Sequence, residues 1–156
     1  MTARVATIVF AVFSVLSMLS ACEKKREAPL DVFMIDSSPD DVFSRVVSQL
    51  QVQGFDIDQF EKRDRTVKTA WKEIPVSEVE TFAKLKEPAE RYEKGRLAYQ
   101  AKVEADGDNS RLFIDALVEA LYTPHQRESE KFGIDKEWQA AKSNGSAERS
   151  FMDSIK

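Results

Sequence analysis

Hydrophobic and polar positions change period several times along this chain, and each change marks an element. Val5 to Leu19 is an unbroken apolar stretch of 15 residues without a charge, behind Arg4. Val32-Phe33-Met34-Ile35 is a short apolar run that reads as an edge strand. Val42, Phe43, Val46, Val47 and Leu50 then recur at helical spacing. Ser37 or Ser38 supplies an N-cap, Pro39 suits the first turn, and Asp40 and Asp41 favour the positive helix end. Gly54 can end the element, so the pattern predicts a helix over 39–53.

Beyond it the period falls to two. Phe55 and Ile57 begin a strand, 61–65 (EKRDR) is a turn, and 66–74 alternates. The alternation places Val67, Thr69 and Trp71 on one face and Lys68, Ala70 and Lys72 on the other. Residues 76–95 are rich in charge; Ser77 to Glu80 can open a short helix as a capping box, and Pro88 interrupts it. Over 96–105, Leu97, Tyr99, Ala101 and Val103 point one way, and Arg96, Ala98, Gln100, Lys102 and Glu104 the other. Asp106-Gly107-Asp108-Asn109 is a turn signal. Residues 111–122 bury Leu112, Ile114, Ala116 and Val118 as a strand, or carry a polar stripe at Arg111, Asp115 and Glu119 as a helix. The tight turn before them favours a hairpin, so a strand is expected. Residues 124–143 are mostly polar, with Phe132, Ile134 and Trp138 as anchors. A last helix over 147–155 would bury Phe151, Met152 and Ile155. The expected fold is α+β: a curved antiparallel sheet of about four to five strands. A long N-terminal helix and a short C-terminal helix lie on one face.

The first apolar stretch has the length of a signal peptide. A helix of that length, at about 1.5 Å per residue, reaches ~22 Å, short of a hydrocarbon core ~30 Å thick. It runs through Leu19-Ser20-Ala21 into Cys22, the single cysteine. That run resembles the lipobox of bacterial lipoproteins. The resemblance implies a diacylglycerol on the Cys22 thiol, cleavage between Ala21 and Cys22, and acylation (palmitate or a similar chain) of the new amine. Glu23, not Asp, follows, which by the same resemblance points to the outer membrane, facing the periplasm. The expected organisation is a signal peptide over 1–21, a lipidated tether over 22–30 and one domain over 31–156.

Charge and chemistry narrow the functional classes. Without Arg4 of the leader, 22 Lys and Arg stand against 27 Asp and Glu, a formal charge of −5. A nucleic-acid partner would want a basic footprint, so none is expected. His125 is the single histidine. With the one thiol acylated, neither a Cys-His pair nor a two-His metal site can form within the chain. No Gly-x-Ser-x-Gly turn presents a serine, and no glycine-rich loop cradles phosphate. Glu78 with Glu80, and Asp106 with Asp108, read as solvated carboxylates, and the turn at 106–109 lacks the closing Glu of a calcium loop. No catalytic residue, cofactor or metal is expected. Trp71, Tyr99 and Trp138 are candidates to line an apolar cleft between sheet and helix, with core packing as the default.

The Ser-Pro-Asp-Asp-Val-Phe helix start, the Gly54-Phe55 exit, the Val-Lys-Thr-Ala-Trp strand and the Trp138…Ser143-Asn144-Gly145…Phe151-Met152 segment resemble a helix-grip domain. The relatives this suggests are the BamC (NlpB) type of outer-membrane lipoproteins. That resemblance implies a sheet cupping a helix and a role in envelope assembly through protein contacts. The function expected is that of a membrane-anchored, non-enzymatic envelope lipoprotein with a protein partner. The alternative is a periplasmic module binding an apolar ligand, a lipid or cell-wall fragment, in a sheet–helix cleft.

Overall fold

The structure, a computed structural model, describes residues 31–155. The leader, Ala21, Cys22 and the tether lie outside the described residues. In chain order the elements are β1 (Asp31–Ile35), α1 (Pro39–Val52), β2 (Ile57–Glu61), β3 (Thr66–Thr69), β4 (Lys72–Ile74) and α2 (Val76–Phe82). Then come β5 (Ala83–Lys84), a 3₁₀ turn (Ala89–Arg91), β6 (Tyr92–Asp106), β7 (Asn109–Tyr122), α3 (Gln126–Phe132), β8 (Glu137–Ser143) and α4 (Ser146–Ile155).

The architecture corrects the expected one. Eight strands form a mostly antiparallel sheet, and four short helices accompany it. A helix-grip-like sheet of four to five strands with a long N-terminal helix is not what the chain forms. Three features account for the difference. The stretch 66–74 breaks at Ala70–Trp71 into β3 and β4. β5 is two residues long and carries no readable period. β8 exposes or half-exposes every residue, so it shows no apolar alternation. α1 itself starts where its caps place it, but it is 14 residues long, about 21 Å.

A long hairpin is the spine. β6 and β7 pair from Tyr92 opposite Tyr122 to Asp106 opposite Asn109. Gly107 turns between them at φ 64°, the conformation a two-residue hairpin that takes glycine first requires. β3 and β4 lie one after the other along the outer edge of β6, with β2 beyond β3. β1 and β8 lie one after the other along the outer edge of β7, with β5 beyond β8.

α1, α2 and α4 pack on one face of this sheet. Ser38 caps α1, its Oγ accepting the Asp41 N–H at 3.3 Å. Gly54 ends it at φ 78°, and its N–H donates to the Gln51 carbonyl. Val42, Phe43, Val46 and Leu50 of α1 and Phe151 and Met152 of α4 bury against Leu97, Tyr99, Val103, Leu112 and Ile114. Gly95 is fixed by α2: a Cβ there would stand 2.0 Å from a Val79 methyl. α2 is entered from Pro75 with no side-chain cap, not through the expected capping box.

Candidate functional site

Among the described residues the helices cover one face of the sheet and leave the other open. Strand alternation sends Arg96, Gln100, Lys102 and Glu104 of β6 to the open face. Their register partners on β7 are Glu119, Asp115, Phe113 and Arg111. β3 adds Thr66 and Lys68, opposite Lys102 and Gln100.

One row across this face is built differently from the rest. Glu73 of β4 stands opposite Arg96, Arg96 opposite Glu119, and Glu119 opposite Ala140 of β8. The Arg96 guanidinium lies between two indoles, its carbon 4.5 Å from the Trp71 ring centre and 4.2 Å from that of Trp138. Its Nε donates to Glu119 Oε2 at 2.8 Å, and an Nη donates to the same oxygen. Lys94 donates to Glu73 at the row's outer end. The Arg96 and Glu119 side chains are 26% and 23% exposed, while Trp71 is 39% exposed. Stacking and a carboxylate hold the cation in place, so the row presents rigid, flat, amphipathic groups to solvent.

Trp71 reaches this face because β3 and β4 are not continuous. At Ala70–Trp71 the period slips, so Trp71 joins the open face. Lys72 turns to the helix side, where its Nζ donates to the Gln53 carbonyl at 2.7 Å and sits over the Phe55 ring. This reverses the faces that strict alternation assigns to those two residues.

The three residues singled out from sequence as cleft-lining are therefore not brought together. Trp71 and Trp138 meet across Arg96 on the open face. Tyr99 is on the opposite side, 4% exposed, with its ring against Phe55 and Phe151. The Tyr99 hydroxyl donates a long bond to the Ala147 carbonyl. Burial, and secondarily the charge of Glu148, push its pKa up to about 12.

Tyr99 also marks a waist in the sheet. Opposite Ala116, it lies where both flanking edges change strand. The Tyr99 N–H, between β3 and β4, donates to the Thr69 hydroxyl at 2.9 Å. The Ala116 N–H, between β1 and β8, donates to Glu148 Oε1 at 3.1 Å. Ser143 Oγ donates to both Glu148 oxygens. Glu148 is a buried carboxylate, but its partners are a backbone N–H and a hydroxyl that close a sheet edge. It presents no nucleophile–base pair.

The remaining sequence candidates are dispersed. His125 is exposed on the connection to α3, and Glu78 and Glu80 are exposed on α2. Asp106 pairs with Arg111. Among the described residues no group of three or more His, Cys, Asp or Glu is placed to hold a metal ion. Among the same residues no helix is long and apolar enough to cross a membrane.

Sequence reasoning placed Arg96 and Glu119 correctly within their strands. It missed their partnership with two tryptophans, one moved by a strand break and one carried by a strand without a readable period. The polar–apolar pattern of 96–105 and 111–122 was the available signal, since a face with regular polar positions is one that solvent or a partner meets. The chain matches no protein-family model, and the comparison with curated proteins finds no similar one.

Proposed function

We propose that this chain is a lipid-anchored, non-enzymatic protein of the bacterial envelope that acts through protein contacts in outer-membrane or envelope assembly. The Leu19-Ser20-Ala21-Cys22 run ahead of a folded domain carries the reading. Acylation at Cys22 would hold the domain on the periplasmic side of the outer membrane, with two or more chains for lasting attachment. The uncovered face supports a contact role. Tryptophan and arginine are the residue types that dominate binding energy at protein interfaces, and here both are held rigid before any partner arrives. The competing reading, an apolar ligand between sheet and helices, needs space where Phe55, Tyr99 and Phe151 already pack ring to ring.

Two measurements test this proposal. Labelling with a palmitate analogue should mark the wild type and vanish in Cys22→Ser; labelling that persists would refute the anchor. Photo-crosslinking in intact cells should capture a protein partner, and Trp71→Ala with Trp138→Ala should lower its yield severalfold. An unchanged yield would remove the open face from the proposal.

A further inference from the structure

Strands β6 and β7 run down the middle of the open face, with β3 and β4 beside β6 and β1 and β8 beside β7. A two-fold axis laid parallel to these strands, above the line between β6 and β7, sets each β6 against the β7 of a second copy. Residues that are register partners within one chain then meet between chains. Glu104 and Arg111 are such partners, so two ion pairs form toward one end. Arg96 and Glu119 give two more toward the other. Between them Lys102 meets Phe113, Gln100 meets Asp115 and Ala98 meets Leu117. The flanking strands follow the same rotation. Thr66, beside Lys102, meets Val32, beside Phe113. Trp71, level with Ala98, meets Lys142, level with Leu117. Glu73 meets Ala140, and Lys68 meets the gap between β1 and β8.

No row sets like charges against each other. Each central row joins opposite charges, a cation and a ring, an amide and a carboxylate, or two apolar side chains. An axis across the strands through the Gln100 row does worse, because it lays Asp115 on Asp115 and Lys68 on Lys68. The five rows from Glu104 to Arg96 span four strands. At ~6.8 Å per row and ~4.8 Å per strand that is roughly 650 Å² in plan, before side-chain relief. A specific interface buries about 800 Å² per partner, so the face has the size a stable dimer needs. Facing sheets cross at about 30° through their own twist, an angle that the long side chains of the end rows can follow. The same axis suits two chains held at one membrane. It keeps both copies of Asp31 at one height, opposite Ile114. The nearer end of β7 is then about 17 Å away along the strand. The nine steps from Cys22 to Asp31 reach about 30 Å. We infer that the partner is a second copy of this chain, in a face-to-face dimer with its two-fold axis parallel to β6 and β7, a reading that rests on the open-face contact proposed above.

The test uses the full-length protein in intact cells, with a photo-crosslinking amino acid in place of Gln100. The expected product has twice the mass of the chain. Arg111→Glu sets acid against acid across the axis, and Glu104→Lys sets base against base. Each alone should lower the yield at least about tenfold. Two differently tagged chains, one with each substitution, should crosslink to each other at close to the wild-type yield when expressed together. A pair lost inside one chain cannot be repaired by mixing, so the rescue reads the contact between copies. A doubled product that neither substitution lowers, or a mixture no better than the single variants, overturns the dimer. A product of another mass also overturns it, and leaves the open-face contact standing with a different protein. No product at all from position 100 refutes the open-face contact itself.

Discussion

The two faces of the sheet are built on different physics. The covered face is apolar and closed: Leu97, Tyr99 and Val103 alternate inward along β6 and meet side chains from α1 and α4. Its stability comes from area removed from water and from close packing. The open face mixes charged and amide side chains with Ala98, Phe113 and Leu117, and its order in the Arg96 row comes from pairing: Arg96 between two indoles, and Glu119 accepting from the guanidinium. Contacts of that kind at half-exposed sites contribute little to folding, because water competes for them. On the contact role proposed above, rigidity on the open face serves presentation more than stability, and substitutions on the two faces should have separable consequences.

The largest expected effect is on the covered face. Phe151 is 1% exposed and lies against Tyr99. Phe151→Ala should cost about 3–5 kcal/mol, through lost burial and a residual cavity. Urea unfolding should show it as a lower midpoint with unchanged slope. A loss under about 1 kcal/mol would mean that the core is not packed as described.

The second effect is one of pH. The folded-state pKa of Tyr99, about 12, lies above the unfolded value of about 10. A raised pKa contributes fully below the unfolded value and is lost as pH rises through the folded one. Stability should therefore hold steady to about pH 10 from this group and fall by about 2–3 kcal/mol by pH 12. Tyr99→Phe should flatten that alkaline decline, measured as the urea midpoint between pH 9 and 12.

The third concerns the waist, where the two edges are closed by different groups. Glu148→Ala leaves the Ala116 N–H buried without its acceptor and should cost about 1–3 kcal/mol. Glu148→Gln keeps an acceptor oxygen and should cost less. Faster amide exchange at Ala116 in the first variant than in the second is the direct readout; equal exchange would show that the carboxylate is not the acceptor.

The smallest stability effect is expected on the open face. Trp71→Ala removes one side of the stack on Arg96 and should cost under about 1 kcal/mol, while partner crosslinking falls. A large loss of stability with crosslinking intact would reverse the roles assigned to the two faces.

The covered face was legible from sequence and the open face largely was not. Apolar residues at period two or at helical spacing report on burial, which is why 39–53 and the hairpin around Gly107 are readable from residue types alone. Trp71 was assigned to the wrong face because alternation assumes an unbroken strand, and the break at Ala70–Trp71 has no local signal. Trp138 sits on β8, whose pairing with β7 supplies what its own pattern lacks. The extra strands follow the same rule: β5 and β8 are strands by partnership, not by propensity.

By itself, the sequence determined the first helix and its caps, the long central hairpin and that hairpin's inward set of side chains. Each of these is written in residues close together along the chain, where propensity, capping and period act. The tertiary structure alone decided the eight-stranded sheet, the joining of Trp71 to Trp138 through Arg96, and the recruitment of Glu148 to an N–H 32 residues away. Those outcomes depend on which edges and faces meet after folding, and no local period encodes a meeting between distant segments.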